Sequence, residues 1–189
     1  MSRRVPEGSD RSGEAGPGTA VSRTTQVPLE PVAGEHSEPM TDIPAPLARP
    51  TGIHHVRLTV TDIARSKDFY GRLLGTQPAA DFSAQAADPV AHEDPARLFG
   101  GCVYSVGDQL LGLRPVASAG DRFESTRVGL DHLSLAVGSA EELHATAARL
   151  DDAAVEHGEV MELVGFGIAI LSVQDPDGIN LELTAPLPT

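Results

Sequence analysis

Three side chains stand where a metal ion could be held. His55 and His132 occupy matching places in two similar stretches. These are Gly52-Ile-His-His-Val-Arg-Leu-Thr-Val60 and Gly129-Leu-Asp-His-Leu-Ser-Leu-Ala-Val137, set at a constant offset of 77 residues. Glu182 follows the turn Asp175-Pro-Asp-Gly178 and lies between Leu181 and Leu183. A carboxylate turned into a cleft loses several kcal/mol of solvation, roughly, unless a counter-charge meets it. A cation held by two imidazoles supplies that charge. Two histidines and one carboxylate with open positions suit one divalent ion: Fe2+, Mn2+, Ni2+ or Zn2+.

The elements that must position these groups follow from the repeat. Val56, Leu58 and Val60 alternate with His55, Arg57 and Thr59, and Leu133, Leu135 and Val137 alternate with His132, Ser134 and Ala136. That is strand period, with each histidine opposite the aliphatic face. His54 then points to the other face, as a core or surface histidine. A helix follows each strand. Asp62 caps the first, whose stripe is Ile63, Phe69, Tyr70, Leu73 and Leu74, with Gly75 just past its end. Ser139 with Glu142 forms a capping box for the second. Apolar runs at 78–83, 99–106, 109–115, 153–156, 165–174 and 179–185 suit strands. The expected fold is α+β, with two tandem βαβββ modules, about 51–115 and 129–186, whose curved sheets form a cup.

Composition bounds the rest. Residues 1–50 hold 8 of the 15 prolines and none of the seven aromatic residues, so they read as a disordered tail before a domain at 51–189. Met40 is a second candidate start. The net charge of -13 disfavours nucleic acid and anionic membrane surfaces as partners. The single Cys102 fits a reducing compartment and a small buried apolar role. No apolar run approaches a membrane span, and no apolar segment follows Arg3-Arg4, so a cytoplasmic location is expected. A homodimer is left open.

On the face of His55, Arg57 lies about 7 Å along the strand and could clamp a substrate carboxylate or enolate oxygen. Arg114 has similar standing. Thr59, Ser134 and Thr184 complete the polar faces as substrate contacts. Tyr104 is a candidate proton donor and, with Arg57, a candidate catalytic residue. Its competing role is core packing. His92 falls in the polar segment 84–97, a cover over the cup, and reads as a solvated loop histidine; His144 reads as exposed.

The stretch His-His-Val-Arg-Leu-Thr-Val-Thr-Asp-Ile-x-x-Ser-x-x-Phe-Tyr-x-x-Leu-Leu-Gly, together with Asp-Pro-Asp-Gly-x-x-Leu-Glu-Leu, resembles the vicinal oxygen chelate superfamily. That group includes glyoxalase I, thiol transferases of fosfomycin resistance, bleomycin-binding proteins and extradiol dioxygenases. The resemblance covers about residues 52–186. It implies paired βαβββ modules around one metal, with ligands at His55, His132 and Glu182. It also implies a glyoxalase- or dioxygenase-like enzyme, an oxidoreductase or lyase, that chelates a small oxygenated substrate in bidentate fashion; the two candidate cations, Arg57 and Arg114, suggest that this substrate is anionic. The alternative is a metal-free, drug-sequestering binding protein of the bleomycin-resistance type. Gly112 stands where glyoxalase I has a fourth ligand. Ser172 stands where the ring-cleaving enzymes have a tyrosine. Arg57 replaces the threonine of the thiol transferases.

Overall fold

The computed structural model describes residues 47–188. The expected disordered tail and the Met40 start lie outside the described residues, apart from the tail's last four. In chain order the elements are β1 (His55–Thr59), α1 (Ile63–Leu74), β2 (Ala80–Asp81), β3 (Cys102–Val106) and β4 (Gln109–Arg114), followed by β5 (Leu133–Ala136), α2 (Ala140–Asp152), β6 (Met161–Leu163), β7 (Ile168–Gln174) and β8 (Asn180–Pro186). They form two four-stranded sheets of identical topology, β1-β4-β3-β2 and β5-β8-β7-β6. Within each, the first strand runs parallel to the last and the other pairs are antiparallel. This is the expected α+β pair of βαβββ modules.

Local chemistry explains the helices. The Asp62 carboxylate accepts from the Ala64 and Arg65 amides, and Gly75 ends α1 in the left-handed region at φ 64°. Ser139 caps α2 by accepting from the Glu142 amide. The other half of the expected box is absent, because the Glu142 carboxylate reaches instead to Arg149 and Thr146.

Two strand expectations need correction. The run at 78–83 contributes only Ala80–Asp81. Three 3-10 turns follow, Ser83–Gln85, Ala91–Glu93 and Pro95–Gly100, and β3 begins only at Cys102. Residues 153–155 are not a strand either. Their amides bond back to the last turn of α2, and the second strand of the second module is Met161–Leu163.

One apolar cluster spans both modules, from Leu58, Tyr70 and Leu113 to Leu143, Leu171 and Leu183. Phe69, Leu73 and Leu74 of α1 share a cleft of about 380 Å³ with Leu135, Leu150 and Leu183 of the second module. The modules are therefore joined through their helix-bearing, apolar sides. Polar ties reinforce the joint. Asp177 accepts from the Thr61 amide and hydroxyl and from Arg65, and the Tyr70 hydroxyl donates to buried Asp175. Among the described residues no helix is long and apolar enough to cross a membrane.

Candidate metal centre and anion-binding face

Because the apolar faces meet inside, the polar faces of both sheets look outward. On the second sheet, Ser134 on β5 is in register with Glu182 on β8, and Ala136 with Thr184. The pleat then places His132, Ser134, Glu182 and Thr184 on one face, as the alternation implied. Ser172 on β7 is the antiparallel partner of Glu182 and joins them. The Thr184 hydroxyl donates to Glu182 Oε1 at 2.9 Å. That hydroxyl has one proton, so the 2.6 Å contact with Ser134 Oγ has Ser134 as donor. This Ser134–Thr184–Glu182 relay fixes one carboxylate oxygen and leaves the other available.

His132 is oriented by a residue that sequence reasoning passed over. Asp131 Oδ1 lies 2.6 Å from His132 Nδ1. A carboxylate on Nδ1 sets the tautomer and directs Nε2 outward, an arrangement typical of metal-binding histidines. The first module repeats it with a different group, His54 Nδ1 lying 3.0 Å from His55 Nδ1. Of the two readings of His54, the structure has the surface one. His54 is exposed, and its ring meets His55 edge to face. The signal was present in the repeat, which lays His54 on Asp131.

The structure thus brings together two of the three expected ligands. His132 and Glu182 share the second sheet, whereas His55 is on the first. Among the described residues no three His, Cys, Asp or Glu side chains of the one chain converge to hold a metal. The chemistry of the donors nevertheless fits a divalent ion: an oriented imidazole and a half-satisfied carboxylate on neighbouring strands, with a second imidazole at the equivalent point of the other module.

On the first sheet, Arg57 is in register with Gly112, and Thr59 with Arg114. Gly112 has a positive role here. A Cβ on it would stand 3.2 Å from Arg57 Nε, so its bare backbone lets Arg57 lie across β4. The segment after β2 covers this face, as expected of 84–97, but the group that does the covering is Phe99. Its ring centre lies 5.0 Å from the Arg57 guanidinium carbon and 4.2 Å from that of Arg114. Phe99 reaches that position because Leu98 and Phe99 adopt φ of 50° and 60°. Left-handed backbone at two bulky residues costs about 1–3 kcal/mol each. His92 is corrected from a solvated histidine. It packs within this segment, with Nε2 2.6 Å from the Ala86 carbonyl oxygen.

Tyr104 is corrected as well. It is completely buried on the apolar face of β3, and its hydroxyl donates to the Lys67 carbonyl at 2.8 Å. Burial is the main cause that pushes its pKa up. Its alternation with Val103 and Ser105 puts it on the side away from Arg57, so it cannot donate a proton at the polar face. Cys102 is fully buried as expected, and burial pushes its thiol up to about 11.

Two βαβββ modules of identical topology define a fold class. The match to known proteins agrees. The model of the Glyoxalase/Bleomycin resistance protein/Dioxygenase superfamily matches residues 52–183, and the chain belongs to that superfamily. No protein of curated function matches. Among solved structures, a glyoxylase/bleomycin resistance protein/dioxygenase domain from Frankia sp. EAN1pec is 26% identical. That match covers 73% of this chain and 93% of that one, with a TM-score of 0.55. SMU.1112c is 24% identical over 72% of this chain and 99% of its own, with a TM-score of 0.56. The fosfomycin resistance protein FosX from Listeria monocytogenes shares the fold at 15% identity, 72% and 94% coverage and a TM-score of 0.53.

Proposed function

We propose that the chain is a divalent-metal enzyme acting on a small oxygenated organic molecule, with His132 and Glu182 of one chain and His55 of a second copy as the metal ligands. The observation that carries this reading is the second sheet's polar face, where Asp131 orients His132 and the Ser134–Thr184 relay orients Glu182 beside it. The packing supports a second copy. One chain's modules meet through their apolar sides, so their polar faces cannot close on each other. A twofold partner can offer its first module to the second module of this chain, and the reverse contact then forms a second equal site.

The ion, Fe2+, Mn2+, Ni2+ or Zn2+, would supply Lewis acidity toward two adjacent substrate oxygens. The chain's own groups do the remainder. Exposed Ser172 presents a hydroxyl beside Glu182, and Ser134 and Thr184 hold the carboxylate in place. Arg57 and Thr59 present donors on the opposing face. The overlap of family membership with an intact donor set favours this enzyme over a metal-free sequestering protein.

Metal content provides the test. Protein purified without chelator is expected to carry one ion per chain, and His55→Ala or Glu182→Gln should each remove it. Refolding those two variants together is the sharper measurement. Random pairing makes half of the dimers mixed, and each mixed dimer has one intact site, so about a quarter of the wild-type metal should return. No recovery would place all three ligands in one chain or none. A wild type without metal would sink the enzyme reading in favour of the sequestering one.

A further inference from the structure

Two cations on the outward face of the first module lack a counter-charge among the described residues. Arg65, Lys67, Arg72, Arg97 and Arg149 all have a carboxylate oxygen within 4.0 Å. Arg49, Arg57, Arg114, Arg122 and Arg127 make no such pair, in a chain of net charge -13, and of these only Arg57 and Arg114 share one aromatic ring. Both are instead drawn against the Phe99 ring, at 5.0 and 4.2 Å from its centre. Ring contact steadies a guanidinium but leaves its N–H groups unfilled. Arg114 Nη2 makes one long bond of 3.5 Å to the His92 carbonyl, and its Nε is buried with no partner. Arg57 also borders a cleft of about 340 Å³ with Thr59 and Thr61, where Arg122 and Arg127 stand among Asp121, Glu124 and Asp177. Like charges crowded on one ring, with vacant donors and room beside them, are relieved by an anion.

We propose that Arg57, Arg114 and Phe99 form an oxyanion clamp whose ligand is a small organic oxyacid. The planar guanidinium fork matches a carboxylate, or an equivalent phosphonate, edge to edge. As the identity of a substrate, this rests on the metal-enzyme reading above and names its substrate class. His55 is two residues before Arg57 on the same face, about 7 Å away. An acid of a few carbons gripped at Arg57 therefore carries its remaining oxygens to His55 and the ion. The clamp itself requires no metal.

Calorimetric titration of the full-length protein with malonate, methylphosphonate and neutral malonamide tests this, in the presence of a chelator so that metal coordination contributes nothing. Malonate or methylphosphonate should bind and malonamide should not, and whichever anion binds more tightly identifies the acid group. Arg57→Gln and Arg114→Gln should each weaken the anion about tenfold or more, with melting temperatures confirming that both fold. Phe99→Leu, which keeps apolar cover but removes the ring, should weaken it as well and serves where an arginine variant does not fold. Affinity unchanged in the arginine variants, equal binding of malonamide, or no anion binding by folded wild type would overturn the clamp. Wild type that carries no metal when purified without chelator, yet grips malonate, would sink only the metal reading, and metal-loaded protein indifferent to both arginines only the clamp.

Discussion

Asp131 separates metal affinity from folding. Its carboxylate is 75% exposed and touches His132 through one 2.6 Å contact. Little stability therefore depends on it, while the direction of the His132 ring does. Asp131→Ala is expected to weaken metal binding roughly 10–100-fold and to shift stability by less than about 0.5 kcal/mol. Competition with a chromophoric chelator, beside a thermal melt, reads both. Gly112 is the counterpart on the first sheet. Gly112→Ala would press on Arg57 Nε from 3.2 Å. Its backbone is not in the left-handed region, so the fold should persist while malonate affinity falls several-fold. Unchanged affinity would mean that Arg57 does not need that path across β4.

At the scale of elements, the β7–β8 turn is the joint that sets the two sheets. Asp175 Oδ1 accepts from the Asp177 and Ile179 amides and Oδ2 from Tyr70, with the residue only 4% exposed. Burial, the largest influence, raises its pKa above the usual carboxylate value, against the lowering effect of those hydrogen bonds. The sign for stability follows. Between the unfolded and the raised folded pKa, the native state binds more protons, so Asp175's contribution is fully present below the unfolded pKa and is lost as pH rises through the folded pKa. Asp175→Asn keeps the acceptor for both amides and removes that loss. Its stability relative to wild type should therefore improve as pH rises from acid to neutral, as urea melts across that range would show. Asp177→Ala should behave differently. It strips Thr61 and Arg65 of one shared partner and should cost about 3 kcal/mol.

At the scale of the whole molecule, the open polar faces predict association. Ile53, Leu130, Met161, Val164 and Phe166 are exposed apolar side chains at 65, 40, 52, 75 and 81%. A ligand shared between two chains stabilises their assembly by mass action. Sedimentation velocity should therefore show a dimer, and added Mn2+ should shift its dissociation to lower protein concentration. Glu182→Gln should abolish that shift without abolishing the dimer. A monomer at high concentration with metal bound would refute the shared site.

Much of this was legible in the residues because it depends on short-range rules. Strand alternation put His55, Arg57 and Thr59 on one face and His132, Ser134, Glu182 and Thr184 on another, and register across β5 and β8 preserved that grouping. The 77-residue repeat gave two modules, and the caps at Asp62, Gly75 and Ser139 are local hydrogen-bond chemistry. Periodicity could not say which faces would meet. Whether the polar faces close on each other or look outward is decided by the packing of α1 against the second module, a contact between residues more than a hundred positions apart, such as Tyr70 and Asp175. Tyr104 had two readings, proton donor and core packing, and burial decides for packing, while the strand expected at 78–83 shortens to Ala80–Asp81 before the 3-10 turns. Phe99 had no visible role, because its place over Arg57 and Arg114 depends on left-handed backbone at two non-glycine residues that only the surrounding fold can hold.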